Sequence, residues 1–137
     1  MRTVTKAFLA FVFCFPAALI ADQHSWKALP SLPDDLGVAG PFAGVHNDAL
    51  IVAGGANFPR PVWDNGKVWH DRIHVLTQSG DKLRWRHGGK VDRPVAYGAA
   101  VSTPAGVVCI GGNDAENTFD EVFLLSWDAS ADGSTCE

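Results

Sequence analysis

The sequence predicts an all-β protein assembled from a repeated four-stranded unit. Three observations carry that prediction. Eight Phe, five Trp and fourteen Gly stand beside a single Met, and aromatics favour strands while glycines favour turns. The stretch "ALIVAGGAN" (49–57) recurs as "GVVCIGGND" (106–114), with Gly55 and Gly112 57 residues apart. The stretch "DRIHVL" (71–76) recurs as "DEVFLL" (120–125), offset by 49. With 137 residues, 47% of them hydrophobic and 19% charged, one globular domain is expected.

The elements follow in order. Arg2 and Lys6 precede an apolar run from Ala7 to Ala21, and Asp22 and Gln23 open a polar segment. A basic start, a short apolar core and a small terminal residue make a secretory signal peptide over 1–21; the run is shorter than the roughly 20 residues that span a bilayer. The mature chain, 22–137, is therefore expected to be exported to the periplasm or medium, without stable membrane insertion. "SWKALPSLP" (25–33) matches "RWRHGGKVDRP" (84–94), with Trp26 opposite Trp85, so 25–30 is read as the fourth strand of a preceding unit.

The first complete unit runs from 41 to 87. Its inner strand is 41–45, in which "FAG" (42–44) is matched to "AYG" (96–98). A turn at His46-Asn47-Asp48 leads to 49–53, whose continuous apolar character suits burial on both faces. In the strand at 72–76, Ile73 and Val75 point one way while Arg72 and His74 point the other. "TQSGDK" (77–82) turns the chain into a fourth strand at 83–87 carrying Trp85. The second unit repeats this at 96–101, a turn at Thr103-Pro104-Ala105, 106–110 and 121–125.

Four such strands at a period of roughly 50 make one blade of a Kelch-type β-propeller. Gly54-Gly55 and Gly111-Gly112 end the second strand of each blade, because glycine tolerates positive φ and close backbone approach. The second blade, 96–127, lacks its outer strand: an offset of 49 from Trp85 falls on Ser134. About two blades are thus expected where a ring needs 4–8. The chain reads as a fragment of a longer propeller, a unit that assembles into a ring, or a degenerate product. Open blade edges would favour self-association.

"GPFAGVHNDALIVAGGANFP", "VWDNGKVWHDRIHVL", "AYGAAV" and "FLLSWD" resemble the cyclically permuted mutarotase family, Kelch-type propellers that include sialic acid mutarotases. The resemblance spans about residues 25–128. It implies a six-bladed ring, of which this chain would be an N-terminal part, and an exported isomerase that interconverts the anomers of N-acetylneuraminic acid by acid/base ring opening, without a cofactor.

The loop from Ala56 to His70 is 15 residues long, against seven for Asn113 to Phe119. Long loops on rigid scaffolds tend to carry function. Asn57, Phe58, Arg60, Trp63, Lys67 and Trp69 offer rings for the C–H faces of a sugar and polar groups for its hydroxyls, and Asn65-Gly66 suggests a small hairpin. Arg60 and Arg93 are candidates for a sugar carboxylate. Opening a sugar ring needs a base at the anomeric hydroxyl and an acid at the ring oxygen, and His70 and Glu116 are the candidates for that pair.

Other chemistries fit less well. His70 and His74 on a strand lie ~13 Å apart, too far to share a metal ion. No CxxC, HExxH or phosphate-binding glycine loop occurs. Copper-radical oxidases share the architecture, but Tyr97 is the one tyrosine and is read on an inner strand. The formal charge is −4 and becomes −6 once Arg2 and Lys6 are removed, which argues against nucleic acid as a partner. Cys109 falls within an apolar strand and Cys136 near the C-terminus, so a buried thiol and a terminal one are expected rather than a disulfide. A sugar-acid mutarotase is the leading reading; a non-catalytic Kelch module binding carbohydrate or protein is the alternative.

Overall fold

In a computed structural model of the chain, residues 25–128 and 130 are described. The expected signal peptide, Ser134 and Cys136 lie outside them. Among the described residues every regular element is a strand. β1 (Phe42–His46), β2 (Ala49–Ala53), β5 (Arg72–Ser79) and β6 (Lys82–Lys90) form one antiparallel sheet in the order β1-β2-β5-β6. β7 (Ala99–Thr103), β8 (Gly106–Asn113) and β9 (Thr118–Leu125) form a second in the order β7-β8-β9. A two-stranded ribbon, β3 (Ala56–Asn57) with β4 (Val68–Trp69), stands on the first sheet. These are two Kelch-type propeller blades side by side, an incomplete ring.

Local chemistry explains the turns. β1 and β2 are joined by Asn47 and Asp48, both at positive φ (47° and 58°). That is the mirror-image turn that matches strand twist, and Asn and Asp tolerate it. In the second blade the Thr103 hydroxyl donates to the Gly106 carbonyl at 2.8 Å and closes the corresponding corner.

Register repeats between blades. Ala53 opposes Ile73 and Leu50 opposes Leu76, as Ile110 opposes Val122 and Val107 opposes Leu125; the offsets of 57 and 49 both hold. The inner strands differ from expectation. Phe42 pairs with Ala53 and Ala99 with Ile110, so the counterpart of Phe42 is Ala99 and not Ala96. Residues 96–98 belong to the connection between blades, with Ala96 bridged to Asn113 as Ala39 is to Ala56. "FAG" and "AYG" look alike but are out of register by three. The strand expected at 25–30 is not formed: these residues have no regular structure and Trp26 is 98% exposed. A strand needs a neighbour's backbone to bond, and no described strand pairs with this segment. It is tied to β6 by the Trp85 indole, which donates to the Pro30 carbonyl at 3.0 Å.

The core lies between the sheets. Alternate residues of the first blade (Phe42, Ile51, Ile73, Val75) are buried against Val107, Cys109, Leu125 and Trp127 of the second. The Phe42 and Phe123 rings meet edge to face, centroids 5.2 Å apart. Fully burying one such side chain is worth about 1.5–3 kcal/mol. Polar ties border this core: Val45 N–H donates to the Ser102 hydroxyl at 2.8 Å, and Trp127 N–H to Nδ1 of His46 at 3.0 Å.

The paired glycines fasten the blades together. Gly55 N–H donates to the Val95 carbonyl at 2.8 Å, and Val95 N–H to the His70 carbonyl at 3.2 Å. Gly54 has φ +67°, and a Cβ there would stand 2.3 Å from the Val95 oxygen. The chain between blades thus crosses directly over the pivot, and only glycine leaves room for it.

Candidate functional site

Two loops rise from the same end of the blades. The longer is closed by the β3–β4 ribbon, in which Ala56 opposes Trp69 and Asn57 opposes Val68. Its tip turns at 61–65, where the Asn65 amide donates to the Pro61 carbonyl at 3.0 Å. A small hairpin forms, as expected, but its turn lies ahead of Gly66. The shorter loop is organised by one carboxylate. Asp114 Oδ1 accepts from the N–H groups of Glu116 (2.8 Å) and Asn117 (2.7 Å). Those backbone bonds, and the Asn117 amide, hold the Asp114 carboxyl below the usual carboxylate range.

The loops meet. The Trp69 indole N–H donates to Asn113 Oδ1 at 3.2 Å, tying ribbon to second blade. Beside that bond opens a cleft of about 420 Å³ whose lining includes Lys67, Trp69, Tyr97, Asn113, Glu116 and Thr118. Lys67 governs its chemistry. Its ammonium lies 5.5 Å from the Phe58 ring centroid, 5.4 Å from Trp69 and 4.8 Å from Tyr97. It also donates to the Tyr97 hydroxyl at 3.1 Å. All three distances lie inside the ~6 Å range of cation–π attraction.

Tyr97 is the site residue that the sequence reading missed. It lies in the connection between blades, not on an inner strand, and has φ +63°. An L-residue there costs about 1–2 kcal/mol. The equivalent position in the first blade, 57 residues earlier, is Gly40 at φ +61°. The Tyr97 ring rests on that glycine: a Cβ on Gly40 would meet Tyr97 Cδ1 at 2.4 Å. A tyrosine strained where the sister copy has glycine is a signal of function. Matching the copies at the 57-residue offset would have found it.

Of the other candidates, the structure brings Phe58, Lys67, Trp69 and Glu116 to this cleft or its rim. Asn57 instead anchors the ribbon, its amide donating to the Gly37 carbonyl at 2.9 Å. Arg60 and Trp63 stand exposed at the hairpin, Trp63 at 93%. Arg93 faces a different cleft, between residues 90–95 and β9. There its guanidinium bonds Glu121 at 2.9 Å and lies 4.8 Å from the Phe119 ring centroid. His70 does not line the Lys67 cleft; its Nε2 is buried without a hydrogen-bond partner, and its backbone serves the pivot. His70 and Glu116 are therefore not drawn into one pair.

Comparison with known proteins identifies the family and the fold. A family model described as N-acetylneuraminate epimerase matches residues 16–131. An N-acetylneuraminate epimerase of Brucella suis (strain ATCC 23445 / NCTC 10510) is 35% identical over 124 residues, covering 77% of this chain and 31% of the relative. One from Vibrio cholerae serotype O1 (strain ATCC 39315 / El Tor Inaba N16961) is 32% identical, covering 79% and 32%. The solved "Structure of YjhT" superposes with a TM-score of 0.70 at 27% identity, covering 82% of this chain and 34% of that one. The chain thus spans about a third of the length of the proteins it matches.

Proposed function

Because the chain belongs to the N-acetylneuraminate epimerase family, we propose that it contributes part of a site where a sugar acid changes anomer. The observation that carries this reading is the meeting of the β3–β4 ribbon with the 113–118 loop, which leaves Lys67, Trp69, Tyr97 and Glu116 around one open cleft. Rings beside hydrogen-bonding groups fit a pyranose.

The reaction asks little of a protein beyond holding the sugar and moving protons. A carboxylate at the rim, Glu116, takes the anomeric hydroxyl proton. The C–O bond to the ring oxygen breaks as that oxygen takes a proton from solvent water in the open cleft, leaving an open-chain ketone. Reclosure on the other face of the carbonyl, with the protons returned, gives the second anomer. A proton NMR time course of freshly dissolved N-acetylneuraminate tests this. Faster anomer exchange with the purified chain than in buffer is expected; an unchanged rate would overturn turnover by this chain.

A second reading, sugar binding without turnover, is favoured by the placement of His70. With Nε2 buried outside the cleft, Glu116 is left as the one member of the expected acid/base pair at the rim. It predicts saturation transfer to the sugar without faster exchange. We also propose export, on the basic start and the apolar run from Ala7 to Ala21. N-terminal sequencing of secreted material should then begin near Asp22.

A further inference from the structure

We propose that Lys67 and Tyr97 act as one anion-reading unit, so that the cleft prefers a sugar bearing a carboxylate over the same sugar with that charge removed. This rests on the reading that the cleft takes a sugar. It adds which group of the sugar is recognised and by which residues.

The first support is the state of the ammonium. Lys67 Nζ has three N–H donors, and one goes to the Tyr97 hydroxyl. Three aromatic faces surround it and hold it in place without neutralising it. Among the described residues it has no carboxylate partner. The two acids that line the same cleft do not supply one. Asp114 is turned into its own loop by the N–H groups of Glu116 and Asn117, and Glu116 is exposed and unbonded to Lys67. Away from this cleft, Arg93 is paired with Glu121 and Lys90 with Asp71. A partly buried cation with donors to spare, in a cleft of sugar size, is the arrangement that accepts a carboxylate through charge-assisted hydrogen bonds.

The second support is independent and concerns Tyr97. Its backbone lies in the left-handed region that the first blade gives to Gly40. Its ring occupies space that exists because Gly40 has no Cβ. Its N–H donates to the Gly40 carbonyl at 2.7 Å. Three features of the connection between blades thus converge on aiming one phenol, and that phenol ends on the Lys67 ammonium. Tyr97 is a positioning residue for the cation, and Gly40 is its seat.

The test compares binding of N-acetylneuraminate and its methyl ester to the purified chain by calorimetry or saturation-transfer NMR at neutral pH. The acid should bind about 10-fold tighter than the ester, the effect of one good charge-assisted contact. Lys67→Met should bring the ratio to about 1; Lys67→Arg should keep much of the preference. Tyr97→Phe keeps the ring and should lower the ratio about threefold. A measurement without substitutions guards against misfolded variants: in the wild-type chain, added salt should weaken binding of the acid and not of the ester. Equal affinity for acid and ester, a preference that survives Lys67→Met in a folded chain, or no binding of either would overturn the proposal. Acid preference without faster anomer exchange would leave it standing and remove turnover. Faster exchange without acid preference would do the reverse.

Discussion

The two blades share a scaffold and differ in what they carry. Both place paired glycines where the second strand bends, bridge the residue after the pair to the incoming chain, and hold the third strand in the same register. The pair ends β2 in the first blade, as expected, but in the second β8 continues through it to Asn113 with a shift in register after Ile110. They part at three places. The first blade has a ribbon-forming loop where the second has a tight Asp114 turn. It has Gly40 where the second has Tyr97. It has Phe42 where the second has Ala99. The cleft is built from the first two differences and the interface between blades from the third. In a repeated fold, equivalent positions that keep the same residue report on the backbone, and those that diverge report on contacts peculiar to one copy.

Breaking the third difference should have the largest effect. Phe42 is fully buried and edge-on to Phe123, whereas Ala99 is exposed. Phe42→Ala should cost about 3–5 kcal/mol, read as a fall in the urea midpoint, and Ala99→Gly no more than about 1 kcal/mol. Equal costs would mean that the blades do not pack as described.

The glycines sharpen the comparison, since equal residues need not cost equal amounts to replace. At Gly54 a Cβ would press on the Val95 carbonyl at 2.3 Å, and φ is +67°. At Gly111, its counterpart, the nearest atom would be the Phe119 oxygen at 3.1 Å, with φ +63°. The left-handed cost is common to both; the backbone collision is not. Gly54→Ala should cost about 3 kcal/mol and Gly111→Ala about 1–2 kcal/mol, by the same unfolding measurement. The first connection carries the next blade across it, and the second does not do so among the described residues.

Tyr97→Gly probes the second difference. It relieves backbone strain of about 1–2 kcal/mol but removes a ring that is 43% exposed. Stability should therefore change by less than about 1 kcal/mol. Preference for the acid over its ester should fall in the same variant. A large loss of stability would make Tyr97 part of the scaffold and not of the site.

These contrasts explain what could be read in advance. The strands at 49–53, 72–76, 106–110 and 121–125 were legible because alternation and paired glycines report directly on pairing and pivot. The inner strands were blurred, since "FAG" and "AYG" are small and apolar and carry too little pattern to fix a three-residue register. The segment around Trp26 looked like a strand because a tryptophan was matched to Trp85, but a matched residue does not supply a partner edge. Loop length and composition singled out Lys67 and Trp69, and both line the cleft. Tyr97 was not, because its role depends on φ and on the missing side chain of a residue 57 positions away. The burial of His70 Nε2 was equally hidden: sequence tells that a histidine follows a strand, not which way its ring turns.

The smallest expected effect concerns protons and separates the first blade from the second by pH. His74 lies on β5, opposite His87 on β6 and edge-on to Trp85. Burial pushes its pKa below the usual 6.5; nearby Asp34 opposes that shift, while Arg72 and His87 add to it. The unfolded chain therefore binds the His74 proton more readily than the folded one. Stability from this group is intact above pH ~6.5 and declines as pH falls below that value, until the folded histidine is itself protonated. The carboxyls behave differently. Asp71, held below the usual range chiefly by its hydrogen bond to Lys90, and Asp114, held there by its loop's N–H groups, stabilise the fold above their unfolded value. Both contributions are lost only as pH falls through their lower folded values, and they reside in both blades. A melting series from pH 7 to about pH 5 therefore isolates the first blade. His74→Gln should flatten the decline in that interval and leave the fall at lower pH unchanged. A decline that persists in the variant would mean that the proton is taken up somewhere other than the outer half of the first blade.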